Sequence, residues 1–234
     1  MRNSTTLHLL SGGAAQGLVA QLQAGFEAQH LCQISGQFGA VGVMLDRMLA
    51  GEACDVIVLT QPLIQQLADL RDVMLDSAQP LGVVKTGVAV KSGEAAPKVG
   101  TAKSLKSALL AATGIYFPDP VKATAGIHFM KVLQALGIDR ALSDRLRPFA
   151  NGATAMRAMA ACPEAGLIGC TQVTEILYTQ GVQLAAPLPK KFELATVYTA
   201  AVNARAAHPE LAASLIGMLC AADAAQIRRN AGFA

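Results

Sequence analysis

Tryptophan is absent from this chain of 234 residues, aromatic residues make up 4%, and charged residues make up only 15%. Hydrophobic residues account for 53% of the sequence. A disordered chain has the opposite balance, with much charge and little apolar content, so the composition excludes that class. The length supports a sizeable hydrophobic core in one large or two modest domains.

Basic residues are few and dispersed. The formal net charge is +3, and the only adjacent basic pairs are Lys190-Lys191 and Arg228-Arg229. A surface that follows nucleic acid phosphates needs a denser positive patch. We therefore expect no nucleic acid partner, whereas a small anionic ligand needs no large positive field.

Long apolar runs are missing too. No stretch reaches the roughly 18 consecutive apolar residues of a membrane-spanning helix, so we expect no membrane insertion. The first residues, MRNSTTLHLLSGG, have no secretory h-region of the usual length and no convincing cleavage site after one. Two locations stay open: the periplasm if the sequence is a trimmed mature form, and the cytoplasm if Met1 is the native start.

Sequence motifs for cofactors and metals are also lacking. The chain contains neither the GxxxxGK[ST] loop that binds nucleotide phosphates nor a GxGxxG turn after its first strand. Its five cysteines are scattered without CxxC spacing, and no cluster of His, Cys and Asp has metal-ligand spacing. The sequence therefore predicts no cofactor and no metal site, and free thiols.

Predicted strands alternate with predicted helices along the whole chain, which is typical of parallel sheets in α/β units. Apolar runs predict strands at residues 7–10, 31–35, 55–60, 81–90, 114–117, 165–170, 182–186 and 194–202. Helical periodicity predicts helices at residues 14–29, 41–49, 62–70, 105–112, 125–136, 138–146, 173–179 and 209–229, with another through Met156 and Met159.

Two of the apolar strands, at residues 81–90 and 194–202, bracket a middle segment. This arrangement predicts a first lobe made of residues 1–82 and 197–234, with residues 83–196 inserted as a second lobe. Ligands of open α/β sheets bind beyond the carboxyl ends of the strands. We therefore expect a ligand cleft between the two lobes.

The segment DPVKATAGIHF, at residues 119–129, is the clearest candidate for binding chemistry. Thr124 is a candidate N-cap, and the first helical turn after it carries no acidic residue. Free amide donors and a partial positive charge at a helix N-terminus, with Lys122 just ahead, favour an anion. The alternative is an ordinary surface turn whose donors bond to water and to the Thr124 hydroxyl.

Similar turns follow other predicted strands. The sequence places glycines or small residues between strand and helix at residues 11–13, 38–40 and 151–154. Together with residues 122–125, these turns are expected to face the cleft.

With these turns in their order, the chain resembles the extracytoplasmic solute-binding proteins of bacterial ABC transporters, the molybdate-binding family in particular. The matching pieces run from Leu9 to Ala231 and include AGEACDVIVLT at residues 50–60 and DPVKATAG at residues 119–126. The resemblance implies a two-lobed periplasmic-binding-protein fold of type II, with mostly parallel sheets flanked by helices.

The resemblance also implies which residues contact the ligand. The family's Ser at the first turn corresponds to Ser11, but the second turn, Phe38-Gly39-Ala40, lacks the hydroxyl of the usual Ser, and Gln172 stands in place of a Tyr. With Lys122 added, a carboxylate fits this set of donors better than molybdate does. The candidate ligand-binding residues are Ser11, Gly12, Gly39, Ala40, Lys122, Thr124, Ala125, Ala153, Thr154 and Gln172.

Two functions follow from these observations. The first is a binding module for a small oxyanion or carboxylate, with an ABC transporter permease as a possible partner. The second is an enzyme, because LGVVKTGVAVKSG at residues 81–93 and AGIHF at residues 125–129 also resemble aconitate isomerases. Lys122 and His128 are then the candidate catalytic residues, although a lone His on an apolar helix is more often structural. A ligand-sensing domain of a regulator is a third possibility, but no DNA-binding segment is visible.

Overall fold

The computed structural model describes residues 5–234, and the chain divides into two compact units. Unit 1 consists of residues 5–83 and Thr196–Ala234, and unit 2 consists of Val84–Ala195. No helix in this described range is long and apolar enough to cross a membrane.

The elements alternate between strand and helix for most of the chain. The strands are β1 (Thr5–Gly12), β2 (Cys32–Gly39), β3 (Val56–Thr60), β4 (Val73–Lys91), β5 (Gly114–Pro118), β6 (Leu146–Phe149), β7 (Leu167–Gln172), β8 (Val182–Pro187) and β9 (Ala195–Asn203). The helices are α1 (Gln16–His30), α2 (Val41–Leu49), α3 (Gln61–Asp69), α4 (Ala102–Ala111), α5 (Thr124–Leu136), α6 (Gly152–Ala161), α7 (Val173–Tyr178), α8 (Pro209–Cys220) and α9 (Ala225–Asn230). Short 3₁₀ turns lie at Gly13–Ala15, Ser143–Arg145 and Lys190–Phe192.

Unit 1 is built on a sheet in which β1 lies parallel to both β2 and β3, while β9 pairs antiparallel with β3. Every residue of β3 is buried, as the apolar run VIVLT requires of a central strand. In this register Ser11 lies opposite both Phe38 and Val58, and Gly12 lies opposite Gly39. The carboxyl ends of the three parallel strands therefore share one edge of the unit 1 sheet.

Unit 2 is an α/β/α layer structure around the strand order β8-β4-β7-β5-β6. Strand β5 runs parallel to β6 and β7, and β4 runs antiparallel to β7 and β8. One face packs Phe117 against Phe129 of α5, and the other face packs Tyr116 against Met156 of α6. Because successive strand residues point to opposite faces, α5 and α6 lie on opposite sides of this sheet.

The start of α5 lies directly on the end of β5. A Cβ added to Gly126 would come within 2.3 Å of the carbonyl oxygen of Pro118 and 2.2 Å of that of Asp119. The turn between the two elements is held by the Asp119 carboxylate, whose Oδ1 accepts hydrogen bonds from the amides of Val121 at 2.7 Å and Lys122 at 2.8 Å. This turn and this glycine fix where the first amides of α5 lie.

The structure confirms the predicted α/β class, but three local predictions are wrong. Residues 138–146 do not form a helix, because the chain turns through Ser143–Arg145 and then enters β6, which pairs with β5. The strand predicted to end at Ser35 continues further, since β2 stays paired with β1 through Gly39. Ala123, not Thr124, is the N-cap of α5.

The Gly126→Ala substitution is expected to destabilise unit 2, because its Cβ would overlap two backbone oxygens that have no side-chain freedom to move away. Overpacking of this kind costs about 1–3 kcal/mol, occasionally more. The matched control is Gly217→Ala in α8, where nothing lies within 4 Å of the added Cβ. That control should be stabilised by about 0.5–1 kcal/mol through helix propensity. Urea unfolding of both variants measures the difference, and equal midpoints would contradict the proposed contact.

Candidate functional site

No side chain of the described residues caps the backbone donors in the first turn of α5. Ala123 is the N-cap and has no side-chain capping bond, and no acidic residue lies in the first turn. Ala125 and Gly126 are buried, whereas Lys122 is exposed one residue ahead of the cap. Aligned amides, the positive end of the helix dipole and a nearby ammonium make this end of α5 attractive to an anion.

The first turn of α6 is different because the chain supplies acceptors for it. The Asn151 side chain caps it by accepting a hydrogen bond from the Thr154 amide at 2.9 Å. The buried Glu175 carboxyl lies against Gly152, whose added Cβ would be 2.0 Å from Glu175 Oε2 and equally close to Thr171 Oγ1. Any larger residue at this position would displace the Glu175 and Thr171 side chains.

Hydrogen-bond donors from two strand–helix junctions, β6–α6 and β7–α7, surround the Glu175 carboxyl. This carboxyl accepts a hydrogen bond from the Thr171 hydroxyl and from the amides of Ala153, Gln172 and Gly152. Burial raises the pKa of the Glu175 carboxyl, and these hydrogen bonds act in the opposite direction. The predicted backbone contact at Ala153 therefore already has a partner inside the protein.

Further polar side chains lie at the same edge of the unit 2 sheet. Thr86 on β4 pairs in register with Gln172 at the end of β7, and Thr174 follows in the first turn of α7. The hydroxyls of Thr86 and Thr174 are buried, and neither has a hydrogen-bond partner in the part of the chain that the structure describes. Buried hydroxyls normally have partners, so these two are candidates to bind water or a ligand oxygen.

In unit 1, the edge formed by β1 and β2 is tightly packed. Ser11 is fully buried, and its hydroxyl donates to the Gly12 carbonyl at 2.9 Å. A Cβ on Gly12 would lie 2.8 Å from Val41 Cγ1 and 3.1 Å from the Tyr198 ring. Glycine at this position therefore allows the β1 turn to approach the start of α2.

The N-termini that follow these strands are also open in the described chain. Neither the turn after Gly12 nor helix α2 after Ala40 has a side-chain cap or an acidic residue in its first turn. A Cβ on Gly39 would lie 2.9 Å from Met44 Cε, so this turn too is packed against its own helix. Unit 1 thus brings Ser11, Gly12, Gly39 and Ala40 to one sheet edge.

The ten predicted ligand-binding residues thus fall into local groups. Four lie together at the unit 1 edge, Lys122, Thr124 and Ala125 lie at the start of α5, Ala153 and Thr154 lie at the start of α6, and Gln172 ends β7. Ligand contact by each of them stays a prediction.

The two candidate catalytic residues lie on either side of the α5 N-terminus. Lys122 precedes it, and the half-buried His128 lies in the second turn, where its Nε2 is 2.8 Å from the Phe192 carbonyl oxygen. That contact gives the imidazole a structural partner, and its catalytic role stays a prediction. Among the described residues no group of three or more His, Cys, Asp or Glu side chains could hold a metal ion.

Sequence reasoning missed Glu175 and the threonines around it. Glu175 stands three residues after Gln172, the N-cap of α7, and its carboxyl reaches back to the Gln172 amide. A Glu at this position is the second half of a capping box, so a signal was present. The pairing of Thr86 with Gln172 depends on residues far apart in sequence, and nothing local could indicate it.

Comparison with known proteins gives one family and a consistent fold. The family described as bacterial extracellular solute-binding protein matches residues 7–234. A curated relative, an aconitate isomerase from a Pseudomonas species, is 24% identical over 245 aligned positions that cover 97% of this chain and 87% of that protein.

Two solved structures have the same fold at low sequence identity. The periplasmic molybdate-binding protein of Azotobacter vinelandii superposes with a TM-score of 0.77 at 18% identity, covering 97% of this chain and 98% of that one. A sulfate-binding protein of Mycobacterium tuberculosis gives a TM-score of 0.73 at 16% identity, covering 98% and 86%. The match over nearly the whole sequence, together with this fold, establishes that the chain belongs to the bacterial extracellular solute-binding protein family.

Proposed function

We propose that this protein binds a small anion, an oxyanion or a carboxylate, as the substrate-binding component of an ABC-type transport system. The observation that carries the proposal is the first turn of α5, which lies on a fixed strand end and has neither a side-chain cap nor an acidic residue. Membership of a solute-binding family supports a binding role for such a turn.

The proposed ligand class follows from the donors at this turn. Backbone amides bind any anionic oxygen, while the Lys122 ammonium adds a full charge that pairs well with a carboxylate. The turn Phe38-Gly39-Ala40 contributes no hydroxyl where the molybdate-binding family usually has one. We therefore favour a polycarboxylate over molybdate or sulfate, which are the ligands in the names of the two structural neighbours.

The proposed role implies a place and a partner. A substrate-binding component works outside the cytoplasmic membrane and delivers its ligand to a membrane-embedded permease. The periplasm is accordingly the location that this proposal favours, and the permease is its proposed protein partner.

One alternative function is favoured by a specific observation. The curated relative that covers 97% of this chain is an aconitate isomerase. Moving a proton within an unsaturated tricarboxylate needs a base near an acidic carbon and donors for the developing enolate. Lys122 or His128 would serve as the base, and the α5 amides would stabilise the enolate. Both functions use the same anion-binding turn.

The ligand class is tested by a thermal-shift panel of molybdate, tungstate, sulfate, citrate, cis-aconitate and trans-aconitate. An anion present at 100 times its dissociation constant should add about 2.7 kcal/mol to the free energy of unfolding. We expect the largest shift with a tricarboxylate. A shift confined to molybdate and tungstate would contradict the proposed ligand class, and no shift with any of the six would contradict anion binding.

The role of Lys122 is tested by Lys122→Ala, with Lys131→Ala on the exposed side of the same helix as the matched control. Loss of a charged partner should weaken binding of citrate or aconitate by about tenfold to a hundredfold. The Lys131→Ala variant should bind as the unmodified protein does in calorimetry. Equal affinities of the two variants would remove Lys122 from the site.

The enzymatic alternative is tested by incubating the protein with cis-aconitate or trans-aconitate and following ultraviolet absorbance. For a binding protein we expect tight binding without conversion. Steady conversion between the two isomers, lost in His128→Asn or Lys122→Ala, would replace the transport proposal with the isomerase.

A further inference from the structure

Glu175 is a buried carboxyl that the proposed function does not use. It is 6% exposed, and its carboxyl receives the Thr171 hydroxyl together with amides from the starts of α6 and α7. The chain's own carboxyl thus occupies the anion position at the start of α6, at the same edge of the unit 2 sheet as the open turn of α5.

The distance between these two positions follows from the sheet register. Strand β5 pairs with β7 so that Tyr116 lies beside Gly169, and continuing this register places Pro118 beside Thr171. Gly126 of α5 lies on the Pro118 carbonyl, and Glu175 is bonded to Thr171. Strands β5 and β7 are neighbours about 5 Å apart, and the carboxyl and the first amides of α5 each lie a few Å off their strand, so the two are separated by roughly 10 Å.

At this separation two negative charges repel each other appreciably. In a medium with the effective dielectric of a protein, one unit charge about 10 Å from another changes a binding constant on the order of tenfold. An anion at α5 therefore disfavours the ionised form of Glu175, and the protonated form removes the repulsion.

Burial of Glu175 already favours the protonated form of its carboxyl. Burial raises the pKa of its carboxyl above the ordinary value of 4.5. Between pH 4.5 and the raised pKa, the native state therefore binds the proton more strongly than the unfolded state does. Stability from this group is present below pH 4.5 and is lost as the pH rises through the raised value.

Other titratable groups on the elements packed around Glu175 do not contact its carboxyl. On α6, Arg157 is exposed and donates to the Thr154 hydroxyl, and on β7 Cys170 points to the face opposite Thr171. Tyr178 on α7 is partly exposed. On the α5 side the titratable groups are Asp119, Lys122, His128 and Lys131.

We propose that Glu175 couples anion binding at the start of α5 to the uptake of one proton from solvent. The inference rests on the proposed anion-binding function and adds its regulation. Because coupling is reciprocal, acidification strengthens anion binding and anion binding strengthens proton binding. A protein of this kind holds its ligand more tightly in acidic surroundings and releases it more readily as the pH rises.

Calorimetric titration with sulfate and with trans-aconitate tests the coupling between pH 5 and pH 8. At each pH the heat is measured in two buffers of different ionisation enthalpy, which gives the number of protons taken up. The comparison uses the unmodified protein, Glu175→Gln, and Glu164→Gln as an exposed unit 2 control. Subtracting the proton uptake of Glu175→Gln from that of the unmodified protein cancels the protons contributed by the ligand or by other groups.

We expect proton uptake in the unmodified protein and in Glu164→Gln, and its loss in Glu175→Gln. The weakening of affinity from pH 5 to pH 8 should be on the order of tenfold greater in the unmodified protein than in Glu175→Gln. Anion binding with equal proton uptake in these two proteins would overturn the inference while leaving the proposed function intact. Absence of any anion binding would overturn both.

A second variant keeps the test decisive if Glu175→Gln does not fold. Thr171→Val keeps the side-chain shape but removes the hydroxyl that stabilises ionised Glu175. The pH window of proton uptake should then move to higher pH. An unchanged window in this folded variant would overturn the inference.

Discussion

The close approach of Gly126 to the carbonyl oxygens of Pro118 and Asp119 determines where the first turn of α5 lies. Any side chain at this position would push the helix away from the strand end. The Asp119 carboxylate binds the amides of the preceding turn, so it does not cap the helix itself. The result is a rigid turn whose donors are not capped by a side chain of the described chain. Rigid donors are what anion recognition requires, because their orientation is set before the ligand arrives.

Helices α5 and α6, which each follow a parallel strand of unit 2, differ in how their first turns are satisfied. Helix α6 has Asn151 as a side-chain cap and the buried Glu175 carboxyl beside its first residues. Helix α5 has neither. The same sheet edge thus carries one turn whose amides bond to side chains of the protein and one that no side chain of the described residues caps. The amide of Ala153 is therefore bonded to Glu175, whereas no side-chain cap is present at the turn that contains Ala125, although the two residues occupy similar positions in the sequence pattern.

Much of the fold could be predicted because apolar runs and helical periodicity are local signals. The buried strand VIVLT and helix α2 at Val41–Leu49 follow directly from them. Strand β6 could not be predicted, because Ile138, Leu142 and Leu146 have helical spacing, whereas the strand is stabilised by its distant partner β5. There Arg147 donates to the Tyr116 hydroxyl at 2.7 Å and lies over its ring, a contact that no local pattern encodes.

The candidate site could be predicted at the level of turns but less well at the level of individual groups. Glycine and small residues after strands indicated which junctions admit close backbone approach, and Gly12 and Gly126 fulfil that role. Glu175 and Thr86 depend on which elements the folded sheet brings together, so the sequence pattern alone did not reveal them. The family match and the open α5 turn then support anion binding as the common feature of both candidate functions.

The central claim is that the first amides of α5 bind the anion. The most direct measurement is a titration of ¹⁵N-labelled protein with trans-aconitate, followed through the backbone amide resonances. We expect saturable shifts that are largest within unit 2 at Thr124, Ala125 and Gly126, with much smaller changes at Thr154, whose amide is already bonded to Asn151. Saturable binding that leaves the three α5 amides unshifted would contradict this claim.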